Sequence, residues 1–317
     1  MAQLHGCGAL ASLRNRSREF RRLVNRVQLQ AMPANWTFEL NAPNGFFAQL
    51  TWCLYLLAYC REHGRGCTVR LTSATYSDRP YHNWFDDFFV PAALVPPPSR
   101  RAFWKRGYPL RISHIQETDA DRYSLTMTIE QAHALFNAHF RVNVNIQSYV
   151  DDFVSREFAQ DDVIGLHFRG TDKAVEADPV DWSRCLRSVL KLSSDRPKIG
   201  KIFIASDDAR FIDWICGELA GRLTVIVHPD EERSWDGQAV HYKRHGNNYK
   251  KGFDALVNCM LLSRCTVLVR TASFLSAWCS IFNPTLPITV LNAPHANASW
   301  FPDSECLKRS DPRYIAT

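Results

Sequence analysis

Apolar and polar positions along this chain alternate between two rhythms, one of period two and one near 3.6. Trp36-Thr37-Phe38-Glu39-Leu40 alternates as a strand does, and residues 41–45 supply turn chemistry. From 46 to 61 the period becomes helical, with Phe47, Leu50, Leu54, Leu57 and Ala58 at helical spacing. Gly64 and Gly66 end that run, and Thr68-Val69-Arg70-Leu71-Thr72 reads as the next strand. A strand–helix–strand opening implies parallel pairing. Residues 95–99 are proline-rich and mark a loop, and residues 128–158 read as one or two helices rich in Ala, Phe and Val, ending before Asp161 and Asp162.

The second half is more regular. Val163-Ile164-Gly165-Leu166-His167-Phe168 is a nearly continuous apolar run, the pattern of a strand buried on both faces. Helices are expected at 181–192, 208–221, 252–264 and 273–282, with strands at 201–206, 223–228, 266–271 and 288–292 between them. That alternation predicts an α/β chain whose C-terminal part is a doubly wound, Rossmann-like parallel sheet. The boundary is expected at 158/159, giving an N-terminal α/β domain of residues 1–158 and a C-terminal domain of residues 159–317.

Composition narrows this only a little. Hydrophobic residues make up 46% and charged residues 22% of 317, as in ordinary globular proteins. The net charge of +6 permits an anionic partner without requiring one. Arg14, Arg16, Arg18, Arg21, Arg22 and Arg26 make residues 1–34 basic, so this stretch is either a solvated amphipathic helix or a weak contact to an anionic membrane surface. Ten cysteines without CxxC pairs or zinc-type spacing read as reduced thiols in core positions. With no apolar run of spanning length and no signal-peptide pattern, the expected location is cytoplasmic or peripheral to a membrane, with no nucleic-acid partner. Asn35-Trp36-Thr37 and Asn297-Ala298-Ser299 match the glycosylation pattern but are expected to stay unmodified.

Candidate chemistry lies just past strands, where ligands of open α/β sheets bind. At the end of the 163–168 strand and just past it lie His167, Arg169, Gly170, Thr171, Asp172 and Lys173. An Arg fork with backbone N–H groups and a nearby Lys suits a diphosphate, and would stabilise one as it leaves. An Arg–Asp pair that ties the loop, with His167 a core histidine, fits the spacing equally. Glu176 is either a general base beside the basic cluster or a surface loop residue. Asp207 and Asp208 either cap the helix that follows or hold a ribose or Arg169. Asp254 and Asn258 share a helix face, and Thr271 and Ser273 flank a helix start that could bind phosphate or be capped by its own hydroxyls. The chain has no GxxxxGK[ST], GxGxxG, HExxH or GxSxG segment, which disfavours P-loop NTPases, NAD enzymes, zinc proteases and α/β-hydrolases, and no metal is expected.

Together these residues resemble the superfamily of inverting fucosyltransferases that includes the core α1,6-fucosyltransferases, the rhizobial nodulation fucosyltransferase and the protein O-fucosyltransferases. The likeness is carried by Ile164-Gly165-Leu166-His167-Phe168-Arg169-Gly170-Thr171-Asp172-Lys173, supported by residues 202–208 and 256–271 and, weakly, by residues 44–50. It implies a GT-B-like pair of Rossmann-like domains, GDP-fucose as donor, a carbohydrate acceptor, inversion and no metal or other cofactor. It also implies that Arg169 holds the β-phosphate beside His167, that Lys173 and Glu176 face the acceptor with Glu176 as base, that Asp207 and Asp208 organise the site, and that Ser273 contacts phosphate. The chain departs from the family at Gly170, where a second Arg is common, and at Asn258, where the animal enzymes place a guanine-reading Asp; Asn offers one acceptor but no bidentate carboxylate. Glu176 also sits one residue closer to Lys173 than the corresponding base. The other readings are a GT-B transferase of another nucleotide sugar and an inactive nucleotide- or carbohydrate-binding protein.

Overall fold

The computed structural model describes residues 20, 35–92, 122–171, 176–240, 247–296 and 300–311. The basic stretch before Asn35, Asp172, Lys173 and the Asn297 sequon lie outside the described residues, apart from Phe20.

The first unit opens as β1 (Asn35–Leu40), α1 (Phe46–Glu62) and β2 (Gly66–Leu71), and the two strands pair in parallel. α1 is apolar on every side and buried at nearly every position from Phe46 to Cys60, so it runs through the core rather than along a surface. α2 (Phe85–Phe88) leads into β3 (Phe89–Pro91). After α3 (Tyr123–Thr126) comes α4 (Ile129–His139), started by a capping box in which Thr128 and Gln131 satisfy each other's backbone N–H groups. The 128–158 stretch is then interrupted by β4 (Phe140–Val142), antiparallel to β3, before α5 (Val144–Phe153) begins under an Asn143 cap and ends in a π-helical turn, Val154–Phe158.

The second unit is β5 (Val163–Phe168), α6 (Trp182–Asp195), β6 (Lys201–Ser206), α7 (Ala209–Leu219), β7 (Thr224–Val227), α8 (Asn248–Ser263), β8 (Val267–Arg270), α9 (Phe274–Phe282), β9 (Ile288–Val290) and α10 (Asp303–Arg309). Its five strands are all parallel in the order β7-β6-β5-β8-β9, with β5 central. This is the Rossmann-like doubly wound sheet expected from the alternation, and its switch point lies between β5 and β8. Strand alternation sends Ile164, Leu166 and Phe168 to the face covered by Val189, Phe211 and Ile215 of α6 and α7. On the opposite face Gly165 admits α8's end: a Cβ there would meet the Cys265 side chain at 3.1 Å.

The opposite face belongs to a larger core that does not stop at the second unit. It joins Phe47 and Leu54 of α1, Phe136 of α4, Phe153 of α5, Leu256 and Met260 of α8, and Trp278 of α9. Trp278 donates its indole N–H to Thr51 Oγ1 of α1 at 2.8 Å and packs against Phe47 and Phe136. Nine described cysteines carry free thiols, seven of them buried. Trp84 and Phe85 are core residues, whereas Tyr81 is exposed.

Candidate active site

A cleft with about 1060 Å³ of empty volume, part of it open to solvent, runs between the start of α1 and the carboxyl ends of β5, β6, β7 and β8. Asn44 to Ala48 and Tyr76 form one wall; Arg169, Glu176, Asp207, Glu231, Asp254, Asn258 and Ser273 are on the other. The α1 wall is held by a small buried network: Gln49 donates to the Asn44 carbonyl at 2.8 Å, and Trp84 Nε1 donates to Ser73 Oγ at 3.2 Å beside it.

Asp207, immediately after β6, organises the loop after β5. Its Oδ1 accepts from Gly170 N at 2.9 Å, and its Oδ2 accepts from Thr171 Oγ1 at 2.6 Å and pairs with Arg169 Nη1 at 2.9 Å. Thr271 Oγ1, at the end of β8, accepts from Arg169 N at 2.9 Å, so the loop is pinned across the switch point from both neighbouring strands. Of the two expected roles for Arg169, loop tie and anion grip, the ion pair is present, and the residue lines the cleft. His167 is buried within β5.

The adjacent acid does something different. Asp208 caps α7, accepting from Arg210 N at 3.0 Å, and both of its oxygens accept from the Arg210 guanidinium. It does not line the cleft, so capping accounts for its conformation. Its Cβ also explains Gly170: a Cβ at 170 would lie 2.7 Å from Asp208 Cβ and 2.8 Å from Phe168 Cε1, which leaves no room for the second Arg seen elsewhere in the resembling enzymes.

The helix start after β8 differs from its expected form. Thr271 N donates to the His167 carbonyl, Ala272 N to Asn292 Oδ1 at 2.7 Å and Ser273 N to Asp303 Oδ1 at 3.3 Å. Those three N–H groups are therefore taken by the protein, and α9 itself begins at Phe274, which lines the cleft with Ser273. Neither hydroxyl caps α9: Thr271's faces Arg169 N, and Ser273's makes no cap bond while the residue borders the cleft. Beneath them Arg270, fully buried, is ion-paired with Asp303 and donates to Ser276 Oγ and the Ser273 carbonyl. Burial opposes the Arg270 charge, but the facing Asp303 carboxylate raises its pKa above the ordinary value.

Glu176 is exposed on the cleft's rim, where its carbonyl accepts from His295 N at 2.7 Å and Ala177 bridges to Pro294. On α8, Asp254 accepts from Lys250 Nζ at 2.8 and 2.7 Å and from Glu232 N at 3.3 Å; burial raises its pKa against the pull of Lys250. One turn on, Asn258 Nδ2 donates to Glu231 Oε1 at 2.6 Å, and Arg233 Nη2 pairs with Glu231 Oε2 at 2.8 Å. Burial pushes the Glu231 carboxyl up to about 8 despite Arg233. Glu231 and the buried Lys251, both cleft residues, had no distinguishing sequence pattern. Glu231 stands in the run His228 to Arg233, which reads as a solvated loop; its position just past β7 is the signal that points to it.

A cleft at the switch point of a Rossmann-like sheet, faced by a second α/β unit, is the architecture of GT-B enzymes. The chain belongs to the NodZ family: residues 122–297, more than half of it, match the family model described as Nodulation protein Z (NodZ). Among solved structures, NodZ alpha-1,6-fucosyltransferase soaked with GDP-fucose is similar with a TM-score of 0.55 and 16% identity, over 83% of this chain and 95% of that one. Fucosyltransferase NodZ from Bradyrhizobium gives 0.56 and 17%, over 81% and 94%. A variant of Arabidopsis thaliana FUT1 in complex with GDP gives 0.51 and 12%, over 86% and 73%. At these identities the likeness is one of fold. No curated protein matches the chain in sequence. No helix among the described residues is long and apolar enough to cross a membrane.

Proposed function

We propose that this chain transfers fucose from GDP-fucose to a carbohydrate hydroxyl with inversion at the sugar carbon. The observation that carries the reading is the Arg169–Gly170–Thr171 loop, pinned by Asp207 and Thr271 at the switch point of the sheet. A donor diphosphate would lie against Arg169, with His167 beneath it and Ser273 beside it; Asp172 and Lys173 follow in sequence, and Lys173 would face the acceptor with Glu176. The acceptor oxygen forms its bond to the sugar carbon as the bond to the β-phosphate oxygen breaks, and GDP leaves with the electron pair. Glu176 takes the proton of the acceptor hydroxyl. Arg169 counts as catalytic to the extent that its contact tightens as charge develops on the departing phosphate. No step is routed through a metal ion. Residues 159–317 would serve as the donor half and residues 1–158 as the acceptor half, and a basic N-terminal contact to a membrane surface belongs to the same proposal.

The test is transfer or hydrolysis of GDP-fucose by three proteins. Wild type turns the donor over, Arg169→Ala loses turnover by roughly a hundredfold or more, and Glu176→Gln loses transfer while still binding GDP. Near-wild-type turnover in Arg169→Ala refutes the diphosphate assignment, and an unchanged rate in Glu176→Gln removes it as the base.

A further inference from the structure

Asn258 stands where the resembling animal enzymes present a carboxylate to the donor's base, yet the cleft does not lack a carboxylate there. Glu231 reaches the same place from the loop after β7. Two residues of one α8 face hold it: Asp254 accepts from Glu232 N, which fixes the backbone, and Asn258 Nδ2 donates to Oε1, which fixes the side chain. Arg233 holds the other oxygen. Asp254 itself is spoken for by Lys250, which leaves Glu231 as the α8-side carboxylate whose bond to this helix, among the described residues, runs through an amide.

The bond from Asn258 has a second effect. Donating Nδ2 to Glu231 settles which way the amide faces, so Oδ1 is turned away from the carboxylate, and it is buried with no hydrogen-bond partner among the described residues. Asn258 is 2% exposed and borders the cleft. Held in this way at the cleft wall, the Glu231 carboxylate keeps a second lone pair on each oxygen and is the acceptor-only group there. Of the four bases, guanine alone presents two adjacent donors, N1–H and the N2 amino group, on one edge. Uracil places a carbonyl on either side of its single N–H, and adenine and cytosine follow their amino group with a ring acceptor, so each would set lone pair against lone pair. Burial favours the neutral form of Glu231, and the paired N–H donors of guanine would favour the ionised one.

We propose that Glu231 is the base-reading residue of this cleft: held by Asn258 and Arg233, its carboxylate accepts from the paired N–H donors of guanine, so selection for a guanine nucleotide comes from the loop after β7 rather than from α8. This rests on the reading of the cleft as a nucleotide-sugar site.

Calorimetry with GDP, IDP and UDP tests it, because inosine lacks the N2 amino group and uracil lacks the donor pair. Wild type binds GDP roughly ten- to a hundredfold more tightly than IDP and UDP, the loss expected for a missing hydrogen bond to a charged group. Glu231→Gln brings GDP down to the level of IDP while the affinity for UDP stays within about threefold, because Gln offers one acceptor and opposes the second N–H with its own amide. The double variant Glu231→Gln with Asn258→Asp, which exchanges amide and carboxylate across the same bond, recovers preference for GDP over UDP. Wild type binding IDP or UDP as tightly as GDP overturns the inference and needs no variant. Glu231→Gln that melts like wild type and still prefers GDP over IDP overturns it as well. Wild type that binds none of the three nucleotides is the failure of the donor-site reading instead.

Discussion

Replacing Asp207 by Ala separates a structural counter-charge from an organiser of the donor loop. The carboxylate serves three donors, Gly170 N at 2.9 Å, Thr171 Oγ1 at 2.6 Å and Arg169 Nη1 at 2.9 Å. Truncation leaves an amide, a hydroxyl and a guanidinium without that acceptor. Hydrogen bonds to charged groups contribute about 1.5–3 kcal/mol each, and they do not add in full here because water reaches a side chain such as Arg169, which is 20% exposed. A net loss of about 2–3 kcal/mol in the bound-loop geometry is reasonable and corresponds to a GDP affinity weakened by roughly thirty- to over a hundredfold. Calorimetry with GDP measures this directly, and a thermal melt run alongside shows whether the fold has changed. The neighbouring Asp208→Ala is the control. It removes a helix cap at a cost of about 1 kcal/mol in stability but keeps the Cβ that abuts Gly170, so GDP affinity should stay within twofold or so. The opposite outcome is physically sensible: if Asp207 only neutralised Arg169 and competed with phosphate for it, its removal would tighten GDP. Tighter or unchanged binding in Asp207→Ala refutes the organiser role.

Three further outcomes follow from the same geometry. Gly170→Ala places a Cβ 2.7 Å from Asp208 Cβ and must displace the loop, so GDP binding should fall about tenfold or more in calorimetry while α7 stays intact by circular dichroism. Asp303→Ala strands the buried Arg270 and should lower stability by about 3–5 kcal/mol in denaturant titration, with much of it recovered when Arg270→Met is added. The Glu231 carboxyl has its pKa raised from 4.5 to about 8 in the folded chain. Between those values the unfolded chain loses its proton first, so wild-type stability falls as pH rises from about 4.5 to about 8 and levels off above it. Glu231→Gln lacks that decline, and its melting temperature relative to wild type should rise steadily between pH 5 and pH 8.5; a constant difference refutes the raised pKa.

How much of this was legible in the residues depends on how each part is built. β5, β6 and the helices around them declare themselves because a strand buried on both faces is apolar throughout and the helices carry one apolar stripe. β3 and β4 do not, since three-residue strands are too short to show a period, and Phe140 to Val142 sit inside what reads as helix. The local signs were present all the same: Thr128 with Gln131 begins one helix and Asn143 begins the next. In the cleft, the loop after β5 stood out because Arg, Gly, Thr and acids crowd behind an apolar strand. Separating Asp207 from Asp208 needed the tertiary partners, since both are acids at one strand end and Asp207 is the one that bonds to the loop. The backbone N–H groups of 271–273 were equally undecidable, because their acceptors, His167, Asn292 and Asp303, come from elsewhere in the chain. Glu231 was hidden by its neighbours: a carboxylate in a charged run carries no mark of burial until Asn258 is seen to hold it.

The core shared by α1, α4, α8 and α9 bears on how such a protein can be re-engineered. Acceptor and donor halves of two-unit transferases invite exchange, and residue 158 is an inviting cut point here. A hybrid joined there would inherit Thr51, Phe47 and Phe136 from one parent and the indole they enclose, Trp278, from the other. Its halves would meet across mismatched aromatic surfaces instead of a loop. A graft that carries the facing positions of α8 and α9 along with the first 158 residues keeps that interior whole, and it also keeps the cleft wall at Asn44 to Ala48 in register with Arg169.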